Sequence, residues 1–116
     1  MIEVSIYYKE SVIKGFTVTG HAGFAAKGED IVCAAVSAVT QTALLGMLEL
    51  LGSKPLWKIE EQGYLECWLP SEITPEEEKK AQIILQTMEF GLRNIQVSHE
   101  QFLTVRKRRW NKCCSQ

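Results

Sequence analysis

The sequence contains no C-x-x-C pair and no tight grouping of cysteine with histidine, so a structural zinc site has no ligand set to build on. Neither a phosphate-loop nor a dinucleotide-binding glycine spacing occurs. No metal and no cofactor is therefore expected. Charge of one sign is missing as well: 13 Lys+Arg against 14 Asp+Glu leave a net charge of -1, which gives no global attraction to nucleic acid or to an acidic membrane surface. Internal repeats and low-complexity linkers are absent, and 116 residues leave no room for a second independent core, so residues 1–116 are read as one domain. The opening MIEVSIYYKE has an early acid and no long apolar stretch behind a basic start, which argues against a secretory signal. The run IVCAAVSAVTQTALLGMLELL is long enough to span a bilayer, but Ser37, Thr40, Gln41, Thr42 and Glu49 interrupt it. A buried core helix is the better reading, with no membrane partner.

What is present is an ordinary globular composition, 46% hydrophobic and 23% charged. Four cysteines stand at Cys33, Cys67, Cys113 and Cys114, and the adjacent last two make a poor disulfide framework. Reduced thiols in a cytoplasm are the default expectation.

Ile2, Val4, Ile6 and Tyr8 alternate with polar neighbours and predict a half-buried strand; Val12 to Val18 predicts a second, joined by a turn at Lys9-Glu10-Ser11. From Gly20 to Gly28 the pattern dissolves into a glycine-bearing loop. A helix is expected from Glu29-Asp30 to about Leu51, with Asp30 as N-cap and Gly52 as terminator. Trp57 and Ile59 begin a strand, Gln62-Gly63 turns it, and Leu65, Cys67 and Leu69 form the inward set of its return. Thr74-Pro75-Glu76-Glu77 announces a second helix with a capping box, carrying the stripe Ala81, Ile84, Leu85, Met88 and Leu92. Ile95 and Val97, then Phe102, Leu103 and Val105, suggest a last strand. The order ββαββαβ implies an α+β fold: an antiparallel or mixed sheet of about five strands with two main helices chiefly on one face.

The segment with chemistry is GHAGFAAKGEDIVCAAVS, residues 20–37. His21 falls where a strand runs out into the loop, and Cys33 falls in the first turn of the long helix. With Asp30 as N-cap, Cys33 would occupy N3, where unpaired N–H groups and the positive end of the helix dipole favour a thiolate. An imidazole brought beside it would lower the thiol's pKa further. The bland alternatives are a small core cysteine and a surface or capping histidine. Cys33, Ser37 and Gln41 follow one helical row, which suits either a cleft or ordinary helix packing.

The run GHAGFAAKGEDIVCAAVSA resembles the signature of the ribosomal-processing cysteine protease family, and the element order suits that family over nearly the whole chain. The resemblance implies a homodimeric protease that removes a short N-terminal extension from a large-subunit ribosomal protein, and the absence of a secretory signal places it in the expected cytoplasm. It implies Cys33 as nucleophile and His21 as general base, with supporting roles for Asp30 and Ser37. Asp30 either orients His21 or only caps the helix. The loop with Gly20, Gly23 and Gly28 is a candidate lid over the substrate, or an ordinary mobile loop.

The remaining candidates carry less. Cys67 lies on an apolar strand face and reads as core, and His99 has no evident ligand partners. Cys113 and Cys114 sit near a terminus. The basic run Arg106 to Lys112, with Trp110 embedded, reads as a solvated end, the alternative being a ribosome-associated module that contacts RNA without catalysis.

Overall fold

The computed structural model describes residues 1–20, 29–61 and 63–111. Its elements are β1 (Ile2–Lys9), β2 (Val12–Thr19), α1 (Glu29–Leu50), β3 (Leu56–Glu60), β4 (Tyr64–Trp68), α2 (Pro75–Ser98) and β5 (Leu103–Arg109). The expected order ββαββαβ is observed. The strands form a single sheet in the order β3-β4-β2-β1-β5. It is mixed because β5 runs parallel to β1 while every other pair is antiparallel. A parallel return needs a long crossover, and α2 supplies it.

Both helices pack on one face. Ile2, Val4, Ile6, Phe16 and Val18 from the sheet join Val32, Val36 and Met47 of α1 and Leu85, Met88 and Leu92 of α2 in one buried cluster. On the opposite face Tyr7 and Trp68 meet across Gly15, their ring centroids 5.0 Å apart. Polar groups tie α2 to the sheet: the Gln82 amide both donates to the Ile13 carbonyl and accepts from its N–H. Buried Glu89 accepts from the Tyr8 hydroxyl and pairs with Arg93 at 2.8 Å. Burial and the Glu89 bond together push the Tyr8 phenol up to about 12.

Several expectations are corrected. The final strand does not start at Ile95: Ile95 and Val97 belong to α2, which runs unbroken to Ser98 with His99 as C-cap. Nothing between Leu92 and His99 breaks a helix, and Ile95 extends the apolar stripe by one more turn to pack against the core. The basic run is both solvated and regular: Arg106 to Arg109 are exposed and lie within β5. The capping box at Thr74 is half made. The Thr74 hydroxyl accepts from the Glu77 N–H at 3.2 Å, but the Glu77 carboxylate reaches across to the N–H groups of Gly52 and Ser53, at 2.5 and 2.8 Å. It thus staples the end of α1 to the start of α2, and those bonds hold its pKa below the usual carboxylate value. Lys54 completes the end of α1 by donating to the Leu48 and Leu51 carbonyls at 2.6 and 2.8 Å.

Finally, α1 is buried on one side only. Val32, Val36, Thr40, Leu44 and Met47 face the core, while Ile31, Leu45 and Leu50 are 72%, 59% and 64% exposed. The helix is long and apolar enough to cross a membrane by length and composition.

Candidate active site

The long helix begins at Glu29, one residue earlier than its expected cap, so Asp30 stands inside the first turn rather than at the N-cap. An acid there still complements the helix dipole. Cys33 becomes the fifth helical residue instead of N3, one turn away from the unpaired N–H groups.

Cys33 is 5% exposed and lines a cleft of about 270 Å³. One wall is α1, contributing Cys33, Ser37, Thr40 and Gln41; the other is the β3–β4 hairpin, contributing Ile59, Glu60, Glu61, Tyr64 and Leu65. Ile2 and Val18 close the end where β1 starts and β2 finishes. The polar row Cys33, Ser37, Gln41 therefore faces a cleft. Ser37 and Gln41 are exposed beside the thiol, while Thr40 is turned back on the helix and donates to the Val36 carbonyl at 2.8 Å.

The chemistry of the walls divides. Ile2, Val18, Val36, Ile59 and Leu65 are apolar, and Glu60 and Glu61 bring the charged groups of the rim. The Tyr64 hydroxyl donates to Glu66 at 2.7 Å, and burial with this bond raises its pKa, so it stays a protonated donor across the neutral range. Such a cleft suits an extended peptide: apolar contacts for side chains, polar groups for backbone, and one sulfur within it.

Thr19 ends β2 at the same end of the sheet as Val18, and Gly20 follows with φ 92° against the backbone of Met1 and Ile2. A side chain there would meet the Met1 carbonyl oxygen at 2.1 Å, so the turn that leaves β2 requires glycine. His21, Gly23 and Gly28 lie outside the described residues, as do Cys113 and Cys114. Cys67 is a buried thiol in β4 whose pKa burial alone pushes up to about 12, which suits packing rather than nucleophilic attack. His99, the C-cap of α2, has its Nδ1 3.3 Å from the Ile95 carbonyl and does not line the cleft. Among the described residues no three His, Cys, Asp or Glu side chains gather as a metal site.

Sequence reasoning missed the second wall. Nothing in the pattern of Ile59, Glu60, Glu61 and Tyr64 distinguishes a cleft-lining hairpin from any other, because their approach to α1 is a tertiary event.

Comparison with known proteins agrees with this geometry. The family model described as cysteine protease Prp matches residues 1–104. The ribosomal processing cysteine protease Prp of Bacillus subtilis (strain 168) is 38% identical over 94 residues, which is 80% of this chain and 84% of that one. A crystal structure of a Streptococcus mutans protein superposes with TM-score 0.82 at 26% identity, covering 95% of this chain and 96% of the other. The essential ribosomal processing protease Prp of S. aureus, solved with a substrate peptide, superposes with TM-score 0.81 at 26% identity, covering 93% of this chain and all of that one (100%). A thiol in a peptide-sized cleft, on this fold and with these relatives, makes the chain a member of the cysteine protease Prp family.

Proposed function

We propose that this protein is an endopeptidase that removes a short N-terminal extension from a large-subunit ribosomal protein, with Cys33 as nucleophile and His21 as general base. The observation that carries the reading is the position of Cys33 in the cleft between α1 and the β3–β4 hairpin, in a chain of this family. The S. aureus relative's structure with a substrate peptide supports the same class of ligand.

The Cys33 sulfur attacks the scissile carbonyl carbon as His21 holds the thiol proton, and the carbonyl oxygen takes the negative charge. Collapse of the tetrahedral adduct breaks the C–N bond, and His21 delivers its proton to the leaving amine. Water then adds to the thioester with His21 accepting its proton, and the acid and the thiol are released. Unpaired N–H groups in the first turn of α1 are the nearest regular source of oxyanion donors. Thr19 ends β2 at the cleft end of the sheet, and His21 follows it by two residues in the sequence, which supports its reading as the base for Cys33. Asp30 orients His21 or complements the helix dipole; Asp30→Asn separates the two, since only the first role lowers turnover at unchanged stability. Ser37, one turn beyond Cys33, supports the substrate backbone, and the segment holding Gly20, Gly23 and Gly28 serves as its lid.

A cytoplasmic homodimer completes the proposal. The outer face of the helices supports it: an apolar groove of about 620 Å³ runs between α1 and α2, lined by Ala38, Thr42, Gly46, Ile83, Thr87 and Gly91 among others. Exposed Leu45, Ile83 and Phe90 stand on these same two helices.

The test is incubation with a peptide spanning the start of the extended ribosomal protein, beside Cys33→Ala, read by mass spectrometry. One cut made by the wild type alone is expected. No cut by folded, reduced wild type would defeat the reading.

A further inference from the structure

The two open edges of the sheet are guarded differently. On β5, Arg106, Lys107, Arg108 and Arg109 are all exposed, a row of like charges that discourages another strand from pairing. The opposite edge, β3, is exposed along its whole length, and Leu56, Trp57 and Ile59 are 51%, 49% and 47% exposed. Its charged residues Lys58 and Glu60 are not a like-charged row but neutralise each other at 3.4 Å. β3 pairs only with β4, so every second residue turns its N–H and C=O outward from the sheet. The register sets Trp57 opposite Cys67 and Ile59 opposite Leu65, both buried, which puts these two apolar side chains on the sheet face that α1 covers. The strand also leads to the thiol, because Ile59 and Glu60 line the same cleft as Cys33.

We propose that the open edge of β3 is the docking strand for the substrate. The peptide adds to the sheet along Leu56–Glu60 in extended form, with apolar side chains at alternate positions against Trp57 and Ile59, and so delivers its scissile bond to Cys33. The inference rests on the protease reading and names how that site holds its ligand. A second copy of the chain fits this edge less well. Five residues of strand span about 17 Å, and pairing over that length falls well short of the roughly 1,200 Å² that a stable interface buries. A peptide that also fills the cleft needs no such area.

The experiment uses an internally quenched peptide spanning the cleaved extension, N-methylated at one amide at a time. Steady-state kinetics are measured with the wild type, and binding to Cys33→Ala is measured by fluorescence anisotropy. Methylation at every second residue is expected to raise KM about tenfold, the loss of one hydrogen bond, while the intervening amides tolerate it. Trp57→Ser is expected to raise KM about tenfold and hold kcat within about twofold, for loss of one apolar contact, with the alkylation rate of Cys33 unchanged. Even tolerance at all amides, or an equal loss at all of them, overturns the proposal while cleavage by the wild type keeps the protease reading. If no peptide is cut, the protease reading falls, and the binding series decides alone: alternation supports the docking strand and its absence overturns it. A Trp57→Ser protein with altered sedimentation and unaltered KM gives the edge to a second copy, and overturns it too.

Discussion

Gly15 offers the sharpest test of how the sheet is held together. It sits in β2 between Tyr7 of β1 and Trp68 of β4, and the rings of those two residues close over it. A methyl group at Gly15 would lie 2.3 Å from the Cys67 carbonyl oxygen and 2.3 Å from Cε3 of the Trp68 indole. Both neighbours resist: one is backbone in a paired strand, and the other is an indole only 2% exposed. Overpacking of this kind costs about 1–3 kcal/mol, and pushing the indole from Tyr7 costs about 0.5–1.5 kcal/mol more. Replacing glycine by alanine within a strand returns about 0.5–1 kcal/mol through the unfolded chain. Gly15→Ala should therefore destabilise by about 0.5–4 kcal/mol, a fall in Tm of roughly 2–16 °C for a domain of this size. Urea and thermal unfolding followed by tryptophan fluorescence measures both. The double variant Gly15→Ala/Trp68→Ala should lose less than the sum of its singles by at least about 1 kcal/mol, because the indole is then no longer in the way. A neutral Gly15→Ala, or additive singles, would refute the argument.

Other consequences follow from single contacts. The Glu77 carboxylate is held below its ordinary pKa by the Gly52 and Ser53 N–H groups, so its stabilisation is complete above the unfolded carboxylate pKa and drains away as pH falls through the lower folded value. Glu77→Gln should flatten the Tm profile between about pH 3 and 5, where unfolded glutamates titrate, and leave a lower plateau at neutral pH; superimposable profiles would show that the staple carries no linkage. Tyr8, raised to about 12 by burial and its bond to Glu89, should be missing from the ordinary phenol titration near pH 10. Its contribution to stability is full below the unfolded pKa and lost as pH climbs through the folded one, which Glu89→Gln should shift in ultraviolet titration. Alkylation with iodoacetamide at neutral pH, mapped by mass spectrometry, should spare Cys67 in the native protein and modify it on unfolding, since burial keeps it protonated. Phe90→Asp and Leu45→Asp, on the outer helix face, should shift sedimentation toward a single copy with little change in Tm; unchanged sedimentation would remove that face from self-association.

Much of the protein was legible one residue at a time. Alternation in β1 and β2 and the Thr74-Pro75 start of α2 are local effects of sterics and hydrogen bonding, and they need no distant partner. The helical row Cys33, Ser37, Gln41 marked one wall of the cleft for the same reason. Where local signals were ambiguous, packing decided. Ile95 and Val97 suit a strand by type, yet Ile95 packs against the core from within α2, and helix continuity carried Val97 along at 74% exposure. Glu77 was shaped for a capping box, but the loop after α1 offered two N–H groups closer to need. The second wall of the cleft, the open apolar edge of β3 and the tilted contact of Tyr7 and Trp68 over Gly15 belong wholly to tertiary structure. They arise where segments distant in sequence meet, and no periodicity along one segment encodes which other segment will lie against it.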